Sequence, residues 1–212
     1  MEDYQKKFLE LSLNAKVLEF GDFTLKSGRK SPYFFNAARM LNGGYLYELA
    51  ECYKHAINAA NLQFDCIYGP AYKGIFLGSI IAMIFDKDGF QYPLSFDRKE
   101  IKDHGEGGTI IGNNPSGDVL IVDDVISAGT AAKESIKMIK STGATPKIMM
   151  VGLDRQERGS GNLSARRELE EEFGMQVISI INLDTLITYS QSNPGYEKHL
   201  ERLQAYRNEW GA

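Results

Sequence analysis

Asp123 and Asp124 stand side by side at the end of an unbroken apolar run, Val119-Leu120-Ile121-Val122, and Ser127-Ala128-Gly129-Thr130 follows shortly after. Four such apolar residues read as a strand covered on both faces, the habit of a parallel sheet. In open α/β sheets ligands bind beyond the carboxyl ends of the strands, which is where this strand delivers its two carboxylates. The small-residue turn then opens a helix, whose free N–H groups and positive dipole end suit a phosphate. Ser127 and Thr130 would add hydroxyl donors, and Gly129 would let the backbone approach closely. Acids so near a phosphate must face something else, and the vicinal hydroxyls of a ribose are natural donors to them. The plainer reading is that Asp124 and Ser127 cap a helix. One residue suffices for a cap, so the second acid and the Gly-Thr pair need another reason. No Gly-x4-Gly-Lys-Ser/Thr nucleotide loop occurs in the chain.

The elements that must position this run are legible in the hydrophobic spacing. Tyr4, Phe8, Leu11, Ala15 and Leu18 recur at three and four, which predicts an amphipathic helix over residues 2–20, stopped by Gly21. Phe23 to Lys26 and Pro32 to Phe35 flank the turn Ser27-Gly28-Arg29-Lys30 and predict a hairpin. A helix over 45–60 and a strand over 66–69 come next. Helix 74–85, strands 92–96 and 119–122, helix 130–141, strand 147–153, helix 164–173 and strand 177–181 then alternate, before a helical tail over 196–210. This rhythm predicts an α/β fold with a central, mostly parallel sheet flanked by helices. One domain over 1–212 is expected, with roughly 1–40 forming a small N-terminal lobe of helix plus hairpin.

Residues 97–114 follow neither period, and a stretch of that length without structure of its own is usually functional or disordered. Arg98, Lys99, Lys102 and His104 fall within seven residues there, ahead of Gly105, Gly107 and Gly108. Charge runs are most often solvated surface. Here the composition also describes a mobile arm with a cationic tip.

The chain has 212 residues, 43% hydrophobic and 25% charged, with a formal net charge of -4. That total gives no sign of the basic face of a nucleic-acid binder. Cys52 and Cys66 sit in apolar surroundings without a partner pattern and read as small buried hydrophobes in a reducing compartment. The acidic start, Met1-Glu2-Asp3-Tyr4, lacks the form of a secretory signal. Residues 74–85, the longest apolar run, are too few to span a bilayer. A soluble cytoplasmic chain is expected, in which the glycosylation pattern Asn162-Leu163-Ser164 carries no meaning.

The segment 119–130 resembles the 5-phosphoribosyl 1-diphosphate (PRPP) signature of the type I phosphoribosyltransferases. Residues 23–36, Gly69-Pro70-Ala71-Tyr72-Lys73-Gly74, residues 98–108 and Leu153-Asp154-Arg155-Gln156-Glu157 are similar to stretches of the orotate phosphoribosyltransferases within that family. The five occur in order, with similar spacing, from about residue 20 to 160. The resemblance implies the type I phosphoribosyltransferase fold with an N-terminal hood. It also implies transfer of a phosphoribosyl group from PRPP to orotate, giving orotidine 5-phosphate and diphosphate in pyrimidine synthesis. Asp123 and Asp124 would meet the ribose hydroxyls, and Val125, Ile126, Ser127, Ala128, Gly129, Thr130 and Ala131 would wrap the 5-phosphate. Lys26, Tyr72 and Lys73 would help hold PRPP, lysine serving as a point charge for phosphate. Phe34, Phe35, Lys26, Ser127 and Arg155 would hold orotate, Arg155 through its planar donor fork. Taken alone, Lys26 and Lys73 would be solvated lysines, Phe34 and Phe35 packing residues, and Arg155 half of a surface ion pair with Asp154 or Glu157.

By the same resemblance, residues 98–108 form the catalytic loop. Arg98, Lys99, Lys102 and His104 would meet the diphosphate, with Lys102, His104, Asp123 and Asp124 the catalytic set. The loop would act in the neighbouring subunit's site, making the protein a homodimer. Mg²⁺ would be held mainly by substrate oxygens and water, without dedicated protein ligands. Ser127, Asp97 and Ile101 depart from the commonest family wording of threonine, asparagine and alanine. Ser127 keeps the hydroxyl, and Asp97 sets a negative charge beside Arg98.

Two enzyme-like rivals and one of another class remain. A phosphoribosyltransferase for a purine would share the signature but not the hairpin and Arg155. A fused decarboxylase is not expected, because the chain reaches Ala212 after a helical tail. A non-catalytic PRPP sensor would show a degraded loop or an added nucleic-acid-binding domain.

Overall fold

The computed structural model describes the chain apart from Lys26, residues 103–107, Ala128, Ser160 and Asn162, and for residues 99–102 and 108 it describes the backbone alone. Six strands form the central sheet: β3 (Cys66–Gly69), β4 (Leu94–Lys102), β5 (Gly108–Gly112), β6 (Asp118–Ile126), β7 (Thr145–Asp154) and β8 (Gln176–Asn182). Their order is β5-β4-β3-β6-β7-β8, parallel throughout except for β5, which runs antiparallel to β4. The continuous apolar run on β6 has its explanation here. Val119, Leu120, Ile121 and Val122 are all fully buried, and because side chains alternate across a strand they feed two cores.

Leu120 and Val122 join the larger core, with helices α1 (Asp3–Asn14), α2 (Leu46–Ala59), α3 (Lys73–Lys87), α6 (Leu183–Ser192) and α7 (Leu200–Trp210). Val119 and Ile121 join the smaller, under α4 (Thr130–Ser141) and α5 (Ala165–Phe173). Strands β1 (Leu18–Thr24) and β2 (Lys30–Phe35) form a separate antiparallel hairpin. Tyr33 and Phe35 of the hairpin are buried in the larger core, where Phe35 lies 6.2 Å from Phe8 of α1, ring to ring.

The mostly parallel sheet, the hairpin and most of the expected helices are present. Four boundaries differ. The first helix ends at Asn14, because Lys16 turns left-handed (φ 55°) and the chain enters β1 at Leu18, which pairs with Phe35. Leu18 therefore belongs to a strand, and the helical spacing that seemed to include it was coincidence. Residues 97–114 are in large part β structure, with Asp97 opposite Ile110 and Lys102 opposite Gly108. Helix α6 was not anticipated, although Asn182 and Thr185 form a capping box at its start. The C-terminal helix begins at Leu200, after a 3-10 turn over Glu197–His199. Among the described residues no helix is long and apolar enough to cross a membrane.

Two glycines set the distance between β3 and α3. A Cβ on Gly69 would lie 2.2 Å from the Gly74 carbonyl oxygen, and one on Gly74 would lie 2.5 Å from Pro70 Cδ and 2.7 Å from the Val122 carbonyl oxygen. Alanine normally stabilises a helix over glycine by roughly 0.5–1 kcal/mol. At Gly74 the sign should reverse, since the intruding methyl meets backbone and would cost about 1–3 kcal/mol. Thermal unfolding of Gly74→Ala should show a Tm several degrees below wild type, and an unchanged or higher Tm would show that this contact is slack.

Candidate active site

Strands β3 and β6 are neighbours, yet the chain leaves β3 toward β4 on one side and β6 toward β7 on the other. Such a reversal of strand order opens a crevice at the carboxyl ends of the two strands. The loop after β3 and the loop after β6 both run into it. The first is Gly69-Pro70-Ala71-Tyr72, with a cis peptide between Ala71 and Tyr72, and it hands Lys73 to the start of α3. Its Ala71 N–H donates to Asp97 Oδ1 at 2.9 Å. Asp97, expected to act on the charge of Arg98, thus ties β4 to the loop that carries Tyr72 and Lys73.

On β6 the two acids part, as adjacent strand residues must. Asp124 is buried and accepts a 2.6 Å hydrogen bond from Lys73 Nζ. Asp123 lines a pocket of about 160 Å³ together with Ser127, Gly129, Thr130 and Ala131. Its carboxylate Oδ1 accepts from the Asp124 N–H at 2.8 Å, and its carbonyl accepts from the hydroxyl of buried Tyr53 at 3.1 Å. Burial, and then the neighbouring Asp124 charge, push the Asp123 carboxyl up to about 7, against a smaller opposing pull from Lys73.

Helix α4 starts at Gly129, which holds φ 75° and offers no side chain to cap the helix. Capping therefore does not account for Asp124 or Ser127, since Asp124 is engaged by Lys73 and the cap position is a glycine. The first N–H groups of α4 face the pocket without a side-chain acceptor from the cap, the arrangement that receives an anion.

Beside this pocket lies a larger cleft of about 710 Å³, whose wall includes Phe34, Phe35, Lys73, Val125, Ser127 and Arg155. One cavity thus joins residues from the hairpin, from α3, from the β6 loop and from the end of β7. Phe34 stacks on Phe23 at 5.4 Å, and Phe35 is mostly core. Tyr72 is 68% exposed at the rim, and Arg98 is half-buried on β4. Lys26, His104 and Ala128 lie outside the described residues, as do the side chains of Lys99 and Lys102.

Arg155 is 3% exposed, so it is no surface residue. It ion-pairs with the equally buried Glu157, and its guanidinium lies 4.2 Å above the Tyr33 ring. Of the two partners the bare sequence offered, Asp154 and Glu157, Arg155 takes Glu157, and the pair is buried rather than on the surface. Tyr53, Ser31 and Tyr206, which support the site from behind, carried no signal because they lie far away along the chain.

A parallel sheet, paired acids at its crevice and an open helix start beside them define a type I phosphoribosyltransferase. No family model matches the chain. It is 52% identical over 211 residues to the orotate phosphoribosyltransferase of Marinobacter nauticus, and 48% identical over 212 residues to that of Haemophilus influenzae, covering 100% of both chains in each case. The crystal structure of the Francisella tularensis orotate phosphoribosyltransferase superposes with a TM-score of 0.85 at 36% identity, over 97% of this chain and 99% of that one. The chain belongs to the orotate phosphoribosyltransferase family.

The raised carboxyl of Asp123 has a consequence for stability. Unfolded, Asp123 titrates near 3.8, and folded near 7, so the folded state holds the proton more tightly. Its stabilising contribution is complete below the unfolded value and is lost as pH rises through the folded one. Asp123→Asn cannot ionise and escapes that loss. In urea denaturation of the ligand-free protein, Asp123→Asn should gain stability relative to wild type between pH 5 and pH 8. A constant difference across that range would place the titration elsewhere.

Proposed function

We propose that the chain transfers the phosphoribosyl group of PRPP to orotate, giving orotidine 5-phosphate and diphosphate for pyrimidine nucleotide synthesis in the cytoplasm. The observation that carries this reading is the shared cleft, in which Lys73, Val125 and Ser127 border the same space as Phe34, Phe35 and Arg155. The 5-phosphate would sit at the start of α4, against Val125, Ile126, Ser127, Ala128, Gly129, Thr130 and Ala131. The ribose hydroxyls would donate to Asp123 and Asp124, and a carboxyl held near neutrality accepts them with little desolvation still to lose. Orotate would lie against Phe34 and Phe35, with Lys26, Ser127 and Arg155 at its polar edges. The hood of roughly residues 1–40 would thereby close one wall of a single domain over 1–212.

In the reaction a ring nitrogen of orotate, giving up its proton to the departing diphosphate, bonds to the anomeric carbon while the bond from that carbon to the diphosphate oxygen breaks, its electron pair leaving with diphosphate. Positive charge develops on the ribose, so the protein's work is positioning and electrostatic stabilisation. Lys73 can exchange Asp124 for the incoming diphosphate without moving far, because its ammonium is already held at the mouth of the site. Tyr72, Arg98, Lys99, Lys102 and His104 would meet the same diphosphate, the last four from the loop of a neighbouring subunit in a homodimer. Closure of that loop would exclude water from the developing cation.

Among the described residues no cluster of three His, Cys, Asp or Glu could hold a metal. The donor set nevertheless fits Mg²⁺, for Asp123 and Asp124 offer hard oxygens beside the expected ribose and diphosphate oxygens. When bound, Mg²⁺ would neutralise charge on the leaving diphosphate.

Ultraviolet absorbance should show loss of orotate that requires PRPP and rises with Mg²⁺, with diphosphate released. Lys102→Ala should lower kcat by at least about a hundredfold, the usual worth of one charge-stabilising group, with little change in orotate binding. A kcat near wild type would remove Lys102 from the mechanism. If the loop works across the dimer, mixing Lys102→Ala with Asp124→Asn subunits should restore activity that neither has alone.

A further inference from the structure

Arg155 is surrounded by a buried network that exceeds what a structural arginine needs. Its Nε donates to Glu157 Oε1, and its Nη2 donates to Ser31 Oγ and to the Tyr206 hydroxyl, each at 2.9 Å. Tyr206 in turn donates to Glu157 Oε1 at 2.5 Å, and Glu157 Oε2 accepts from Arg29 Nη1 at 2.9 Å. Ser31 donates to the Tyr33 carbonyl at 2.7 Å, and the guanidinium carbon lies 4.2 Å from the centre of the Tyr33 ring. Glu157, Ser31 and Tyr206 are all buried. Two of the three guanidinium nitrogens are therefore fixed, and the plane of the group with them. Nη1 alone has no hydrogen-bond partner among the described residues, and Arg155 lines the cleft.

We infer that Glu157 and Tyr206 are positioning residues for base recognition, which aim the Nη1 edge of Arg155 into the cleft. The inference rests on the reading of Arg155 as an orotate-binding residue and goes beyond it, because it draws the C-terminal helix α7 into substrate specificity. The chain after α7 reinforces the arrangement. Trp210 lies 4.8 Å beneath the Arg29 guanidinium, the Trp210 carbonyl accepts from the Arg158 N–H at 2.9 Å, and Gly211 bridges Glu157. A guanidinium held by three partners presents its last donors in one direction, and a substrate then meets a group with little rotamer freedom left to lose.

Alternative demands do not explain the geometry as well. A buried arginine needs a counter-charge, and Glu157 supplies it without Tyr206. Tyr206 approaches both members of the pair, which locks their relative orientation rather than their charge.

The test is steady-state kinetics on the full chain with both substrates varied, for Tyr206→Phe, Glu157→Gln and Glu157→Ala, each checked for a wild-type far-ultraviolet spectrum. Tyr206→Phe should raise the KM for orotate about tenfold, the value of one hydrogen bond to a charged group, and leave the KM for PRPP within about twofold. Glu157→Gln, which keeps an acceptor, should raise it less than Glu157→Ala. In an Arg155→Lys background, Tyr206→Phe should add little, since the group it orients is gone. Unchanged orotate KM in Tyr206→Phe and Glu157→Gln would overturn the inference. So would a parallel rise in both KM values with a falling Tm, which marks a structural role only. If wild type binds PRPP but never consumes orotate, the reading of the site itself fails, and the wild-type control shows this before any variant is made.

Discussion

Two carboxylates on consecutive residues, delivered to the end of a buried strand, repel each other and lose hydration together. Every element around the crevice answers that constraint. The strand turns the acids to opposite faces, so that Asp124 meets the Lys73 ammonium and Asp123 meets the open start of α4. Lys73 can be there only because Gly69 and Gly74 let α3 begin against the end of β3. The Asp124 N–H and the Tyr53 hydroxyl satisfy oxygens of Asp123 that would otherwise be buried unpaired. The pair remains uncomfortable all the same, as the raised carboxyl of Asp123 records. A ligand that brings hydroxyl donors and a cation relieves this, and binding energy is drawn from the relief.

The other wall of the cleft is built on a different principle. There the charge is a cation, Arg155, whose counter-charge comes from Glu157, beyond the end of β7. Glu157 comes from two residues further along the same chain, Tyr206 from α7 and Ser31 from the hairpin. Three distant segments are thus fastened at one guanidinium, and Arg29 adds a second polar tie between the hairpin and Glu157 to the apolar packing of Tyr33 and Phe35. The crevice around Asp123 and the start of α4 is therefore made largely by contiguous sequence, and the wall around Arg155 by long-range packing.

That division explains what could be read from the sequence. Residues 119–130 were legible because one strand, one turn and one helix start line the pocket beside Asp123, and their residues are contiguous. The helix over 130–141 was legible for the same reason. The end of α1 was not, because the left-handed turn at Lys16 is set by hairpin pairing that begins at Leu18. The start of β4 was legible in the strand expected over 92–96, whereas its extension to Lys102 and the whole of β5, at the sheet edge, were hidden because charged and apolar residues do not alternate there. For Arg155 the sequence offered Asp154 or Glu157 as an ion-pair partner, and the structure uses Glu157. Its burial was invisible because Tyr206 lies 51 residues away and Ser31 lies 124 away.

The distance of each strand from the sheet centre also bears on how the site is built. Strands at the centre of the sheet fix Asp123, Asp124 and Lys73 between two cores, where motion would open voids. β4, the next strand outward from β3, is tied to the crevice loop through Asp97, whose Oδ1 accepts from the Ala71 N–H. The acids therefore rest on a floor held by two cores, and the loop that hands Lys73 to them is fixed from the neighbouring strand as well as from its own.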